Sequence, residues 1–204
     1  MEIKIQGLEK RHMSQRPTRE EIRRAVNKTL NDVIAPELLV LFCGINPGLY
    51  SAVTGHNFAR PGNRFWPALF GAGFTERLLA PAEESKLLEY GYGITNIVKR
   101  ATASASELKK DELLKGGQEL VAKVLLFKPS CLAIVGLTAY RIAFAAKKAR
   151  FGQQKERIGK TLVWVLPNPS GVNAHHQLPD LIRHFRELHS HIKANFPQSR
   201  TVKR

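Results

Sequence analysis

Three short runs of the chain are apolar at nearly every position: Leu38–Cys43, Cys131–Val135 and Leu162–Leu166. A strand with one wet face alternates apolar and polar residues. A strand apolar throughout is covered on both faces, as in a parallel sheet between layers of helix. Ile94–Val98 is a weaker fourth run. Between these runs the period lengthens, and Arg64–Phe70, Ala82–Tyr90, Ser106–Phe127, Thr138–Lys148 and Pro179–Ile192 read as helices. The last sets Leu181, Ile182, Phe185, Leu188 and Ile192 on one face. Thr18 opens a capping-box pattern closed by Glu21, and Ile22, Ala25, Val26, Leu30 and Val33 recur at helical spacing. A helix is therefore predicted from Arg19 to Ile34. Strands alternating with helices predict a three-layer α/β/α domain with a central, mainly parallel sheet of four to five strands. Residues 1–17 read as a basic arm, 18–194 as one domain and 195–204 as a basic tail.

Ligands of such sheets sit at the carboxyl ends of the strands, which directs attention to the loops after Cys43, Val98, Val135 and Leu166. The first reads Gly44-Ile45-Asn46-Pro47-Gly48-Leu49-Tyr50-Ser51. Its glycines allow close backbone approach and Pro47 stiffens the turn, with Asn46 held between them. Taken alone, Asn-Pro-Gly is more often a tight turn in which the Asn bonds its own backbone. Phe58 lies in a polar Gly/Pro-rich stretch, where an aromatic is either a packing residue or a stacking platform for a base. His56 and Asn57 precede it. The last loop, Pro167-Asn168-Pro169-Ser170-Gly171-Val172-Asn173-Ala174-His175-His176, is stiffened by two prolines and carries a small apolar tip. That tip suits a wedge into a base stack, or else the loop is a plain strand-to-helix connection. Its adjacent histidines lack Cys or acidic neighbours, so no metal site is expected.

Charge narrows the partner. The 204 residues carry 32 Lys and Arg against 17 Asp and Glu, a formal charge of +15. This points to nucleic acid. No run approaches the roughly 20 apolar residues of a membrane helix, and Met1–Arg11 lacks a signal-peptide core, so a cytoplasmic protein is expected. Cys43 and Cys131 sit in apolar runs and read as reduced core residues, too few for an iron–sulfur cluster or a four-thiolate zinc site. Neither a Gly-Lys-Ser/Thr phosphate loop nor Gly-x-Gly-x-x-Gly is present, which argues against a nucleotide-dependent enzyme. A basic nucleic-acid-binding domain without chemistry remains the alternative class.

Four segments in order carry a resemblance: Gly44-Ile45-Asn46-Pro47-Gly48, Gly62-Asn63-Arg64-Phe65-Trp66, Gly93-Ile94-Thr95-Asn96-Ile97-Val98 and Asn168-Pro169-Ser170-Gly171. With Lys115-Gly116-Gly117-Gln118 they resemble the mismatch-specific uracil/thymine-DNA glycosylases, family 2 of the uracil-DNA glycosylase superfamily. The resemblance implies a monofunctional enzyme of base-excision repair with no metal or cofactor. Such an enzyme flips uracil from a G:U mismatch, or another damaged base or G:T thymine, out of double-stranded DNA as a monomer. It then hydrolyses the N-glycosidic bond to leave an abasic site. It assigns Asn46 the catalytic role and places Gly44, Ile45, Gly48, Ser51, Phe58 and Asn168 around the flipped base, with Phe58 stacking on it. Ser170, Gly171, Val172, Asn173, Ala174 and His175 take the wedge and DNA contacts. The chain departs from the family at Ala174, where several relatives carry Arg, and at Lys99-Arg100, where an acidic residue is usual.

Overall fold

The computed structural model describes residues 16–172 and 175–196. The basic arm up to residue 15 and the tail from 197 lie outside these residues. Five strands, β1 (Val40–Gly44), β2 (Tyr92–Asn96), β3 (Cys131–Val135), β4 (Gly152–Ile158) and β5 (Thr161–Leu166), form one sheet in the order β2-β1-β3-β5-β4. All neighbours are parallel except β4, which runs antiparallel to β5. The helices are α1 (Arg19–Arg23), α2 (Leu49–Thr54), α3 (Phe65–Gly71), α4 (Lys110–Phe127), α5 (Leu137–Ala143) and α6 (Leu178–Asn195), with 3₁₀ segments at Pro81–Tyr90 and Ala105–Glu107.

The unbroken apolar character of β1, β3 and β5 follows from two cores, one on each face. Val40, Phe42, Cys131, Ala133, Leu162 and Trp164 point to the side covered by α3 and α6. Leu41, Cys43, Leu132, Ile134, Val163 and Val165 point to the side covered by α4 and α5. Successive side chains alternate across the pleat, so both sets must be apolar. The Gly116–Gly117 pair lets α4 settle inward. A Cβ on Gly116 would stand 2.4 Å from the Ile97 carbonyl oxygen, and one on Gly117 would stand 2.3 Å from that of Ala143.

Three expectations need correction. The helix predicted over 19–34 stops at Arg23, with Asn27 in the left-handed region at φ 64°. Residues 28–33 instead bridge the outer edge of β2. Val33 and Ile94 exchange backbone hydrogen bonds of 2.9 and 2.8 Å, and the Ala101 N–H donates to the Lys28 carbonyl at 2.8 Å. The Asp32 carboxylate, paired with the Lys123 ammonium and accepting from the Thr95 hydroxyl at 2.8 Å, bolts the segment down. The apolar spacing was real, but covering an open sheet edge outweighs helix propensity there. The segment over 82–90 is 3₁₀ rather than α, and only Leu87 in it is fully buried. β4 was not predicted. It is an edge strand of sequence Gly-Gln-Gln-Lys-Glu-Arg-Ile with only Gln154 and Ile158 buried, so no apolar pattern announces it.

Candidate active site

At the carboxyl end of the sheet, the Asn-Pro-Gly loop leaves β1 and is laid against the chain that leaves β2. Ile97, Val98 and Thr102 donate their N–H groups to the carbonyls of Gly44, Ile45 and Pro47 at 2.9, 2.9 and 3.2 Å. This zipper seats the Asn46 side chain. Its Nδ2 donates to the Thr102 hydroxyl at 2.7 Å, the Arg100 carbonyl at 3.0 Å and the Pro47 carbonyl at 3.2 Å. Carbonyls only accept, so the amide nitrogen must face them, and the carboxamide oxygen is turned the other way. Thr102 is itself committed, its hydroxyl donating to the Ser104 carbonyl at 2.8 Å. The Arg100 guanidinium grips both oxygens of Glu112, and this pairing holds the Glu112 carboxyl down at about 2. The cation at position 100 is thus spent within the fold and fixes the carbonyl that Asn46 uses.

Asn46 lines a cavity of about 530 Å³ together with Ile45, Gly48, Ser51, Phe58 and Asn168. Six further carboxamides and hydroxyls line it, Asn57, Asn63, Asn96 and Thr102 among them, whereas no Asp or Glu does among the described residues. Among the described residues Arg60 is the one charged residue in the lining. Phe58 sits at φ 54°, a region that costs a non-glycine residue about 1–3 kcal/mol and persists only when its surroundings over-determine it. They do so here. The Asn57 N–H donates to Glu84 at 2.8 Å, the Asn57 carbonyl accepts from the Trp66 indole at 3.2 Å, and the Ala59 N–H donates to the Ser51 hydroxyl at 3.1 Å. The Phe58 ring stacks on the fully buried Phe65 with centroids 4.0 Å apart and planes 16° apart. A rigid aromatic wall of the cavity results.

Asn96, the last residue of β2, is oriented by a relay. The Glu84 carboxylate accepts from both the N–H and the Nδ2 of Asn57, at 2.8 and 3.0 Å, so Asn57 can only offer its Oδ1, which accepts from Asn96 Nδ2 at 3.1 Å. Asn57 is 2% exposed. The carboxylate fixes which way two successive amides face.

Across the cavity, Ser170 and Val172 supply the opposite rim. The Arg64 N–H donates to the Pro169 carbonyl at 2.9 Å, and the Arg64 guanidinium donates to the carbonyls of Ser170 and, at 2.8 Å, His176. One side chain therefore ties both limbs of the 170–176 loop. Asn168 accepts from the Ser170 N–H at 2.9 Å and closes the first limb. Val172 stands 74% exposed beyond the ties.

The remaining sequence candidates divide. Gly44 is buried at the end of β1, behind the cavity rather than on its surface, where a Cβ would meet the Asn96 side-chain oxygen at 2.4 Å. Gly171 lies against the Gly62 carbonyl. His175 lines a neighbouring cleft of about 270 Å³ with Phe151, Gly136 and His176. Asn173 and Ala174 lie outside the described residues. His56 faces Glu84 at 3.5 Å. The sequence reading missed Thr102, the Arg100 carbonyl, Arg64 and the role of Glu84 in linking Asn57 to Asn96. Arg64 and Asn96 had a signal, their places within quoted motifs, and Asn57 stood beside Phe58.

Taken together, a parallel α/β sheet with a carboxamide-lined cavity at its carboxyl edge defines a ligand-binding α/β domain of the doubly covered kind. The sequence model of the uracil DNA glycosylase superfamily matches residues 31–193. The chain belongs to that superfamily. Among solved structures it is similar to a chain from Methanosarcina acetivorans, determined by solution NMR and described provisionally as a uracil DNA glycosylase. The two share 20% identity and a TM-score of 0.51, with 80% of this chain and 99% of that one covered. At that identity the likeness is one of fold.

Proposed function

We propose that this protein is a monofunctional DNA glycosylase that takes uracil, flipped out of mismatched or damaged double-stranded DNA, into the 530 Å³ cavity and hydrolyses its N-glycosidic bond. The observation that carries this reading is the seating of Asn46. Its amide hydrogens are spent on Thr102 and two carbonyls, which leaves its oxygen to accept a hydrogen bond from water. A water so held is aimed at the anomeric carbon without being deprotonated, since an amide is no base at neutral pH.

The bond from the sugar to the base breaks with its electron pair leaving on the pyrimidine. The sugar, oxocarbenium-like, takes the water oxygen, and the water's proton passes to solvent. With no carboxylate among the described residues of the cavity wall, the enzyme depends on a good leaving group and on a base that is already weakly paired. Phe58 offers a face to the ring, and Asn96, oriented by the relay, offers hydrogen-bonding groups at the cavity wall. Val172 and its neighbours fill the space the base leaves, as a monomer acting on one lesion requires.

The test is direct. A uracil-containing duplex incubated with the protein and no cofactor should accumulate abasic sites. Asn46→Ala should bind the same duplex and form almost none. Wild-type excision by that variant would end the assignment of Asn46, and absence of excision by the native protein on every lesion tried would end the reading itself.

A further inference from the structure

We infer that the loop between α5 and β4 is a second nucleic-acid contact, a preformed cradle for backbone phosphates of the duplex flanking the lesion on the side of the 170–176 loop. The inference rests on the glycosylase reading only for the word lesion. The cradle itself would hold any duplex.

Residues 145–156 enclose a groove of about 590 Å³ lined by Lys147, Lys148, Arg150 and Lys155, all exposed, with Glu156 the one acidic residue among them. None of the four cations takes part in a salt bridge among the described residues, whereas Arg77, Lys86, Arg100 and Lys123 are all paired. The loop is also built rather than merely basic. Arg141 donates from Nε and Nη2 to the Ala149 carbonyl at 3.0 and 2.6 Å. Gln154, 8% exposed, donates to the carbonyls of Arg150 and Gly152, both at 2.8 Å. Two side chains thus hold the backbone in shape while every cation on it points to solvent. Four unpaired cations on a fixed frame repel one another and cost stability unless an anion partners them.

Their location supplies the anion. β4 runs antiparallel to β5 and its first residue, Gly152, pairs with Val165, one residue before β5 ends. The loop therefore stands at the carboxyl edge of the sheet, the edge that carries Asn46. Phe151, next to Arg150, packs edge-on against His176 with ring centroids 5.2 Å apart, and Arg64 ties His176 to Ser170 on the cavity rim. A continuous strip leads from the cavity to the cradle. Lysine and arginine without paired carboxylates, presented in a groove, match phosphate oxygens.

The experiment compares two fourfold variants of the full chain. One carries Lys147→Gln, Lys148→Gln, Arg150→Gln and Lys155→Gln. The other carries Lys128→Gln, Arg157→Gln, Lys160→Gln and Lys193→Gln, exposed cations toward the opposite end of the sheet, so that both lose the same charge. Binding of an undamaged 20-base-pair duplex is followed against salt. Each lost phosphate contact lowers the slope of log K against log salt by about 0.9, so the cradle variant should lose about 3 to 4 from that slope and the control variant much less. Neither should melt below the native temperature, and relief of the repulsion should leave the cradle variant at or above it. Equal losses in the two variants, or none in the cradle variant, would overturn the cradle. Because undamaged duplex needs no chemistry, failure of excision with binding intact would strike the glycosylase reading and leave the cradle standing.

Discussion

The two rims of the cavity are made differently. On the Asn46 rim nearly every polar group is committed inside the protein: the amide nitrogen to three acceptors, Thr102 to Ser104, Arg100 to Glu112, Asn57 to Glu84. On the 170–176 rim Arg64 and Asn168 tie the described residues at the base of the loop, and the apolar Val172 stands in solvent. A preorganised rim suits chemistry, because groups already oriented need no reorganisation when the bond breaks. An apolar projection on a fixed base suits a partner that arrives from outside. The difference separates residues that should govern the rate of bond cleavage from residues that should govern access to a paired base.

The largest effect is expected at the first rim. Asn46→Ala removes the water-aiming oxygen and should lower single-turnover excision by about 100-fold or more, with duplex affinity unchanged. Glu84→Ala strikes the relay behind it. One carboxylate oxygen accepts from both Asn57 groups, and without it Asn57 is free to turn, so Asn96 loses its fixed orientation. A partly satisfied buried network costs about 1–3 kcal/mol, which should appear as a lower melting temperature and roughly tenfold weaker kcat/KM. If excision fell without any change in melting, or neither changed, Asn96 would not be held by this route.

At the second rim, Arg64→Ala releases both limbs of the loop at once. Hydrogen bonds from a charged donor are worth about 1.5–3 kcal/mol each, though the freed carbonyls recover part of this from water. The expected outcome is about tenfold slower excision from duplex, with excision from single-stranded DNA nearly unchanged. Equal losses on both substrates would move Arg64 to the catalytic rim and blur the contrast.

A smaller effect belongs to Glu112. Hydrogen bonds from Arg100 hold its carboxyl at about 2 from an ordinary 4.5. A lowered pKa means that the pairing stabilises the fold fully above pH 4.5 and is lost as pH falls through about 2. Glu112→Gln should therefore reduce stability and excision modestly at pH 6, and its urea midpoint should converge on that of the native protein between pH 4 and 2. The pair is partly exposed and in contact with water, so the difference stays small.

How much of this could be read in advance follows the same division. β1, β3 and β5 were legible because burial on two faces leaves no polar position, and the Asn-Pro-Gly loop was legible because β1 delivers it to the ligand edge. β4 was not, since an edge strand is free to be polar. The 19–34 helix was misread because Ile22, Ala25 and Val33 are apolar for two different reasons: Ala25 packs after a short helix, whereas Val33 bridges Ile94. Within the site, Asn46 announced itself but its seat did not. Two of its three acceptors are backbone carbonyls, which any residue could supply. Arg100 looked like a departure from the family in charge, yet its carbonyl is what Asn46 uses and its guanidinium is neutralised by Glu112. The cradle cations were visible only as part of a net charge until β4 fixed where they stand.

The smallest and sharpest test lies at Val172. With 74% of its surface in solvent it contributes almost nothing to the folded chain, so Val172→Ala should leave the melting temperature within error. Its loss should be felt only where a base pair has to be opened. Holding the gap left by an extruded base offsets part of the few kcal/mol that unpairing costs, and two methyl groups account for a fraction of that. Excision from a well-paired A:U duplex should slow by roughly three- to tenfold, from a G:U mismatch by less, and from single-stranded DNA not at all, since there is no stack to enter. A graded loss in that order ties the exposed rim to base extrusion. A uniform loss across the three substrates would mean that Val172 acts on the chemistry, and the division between the two rims would no longer hold.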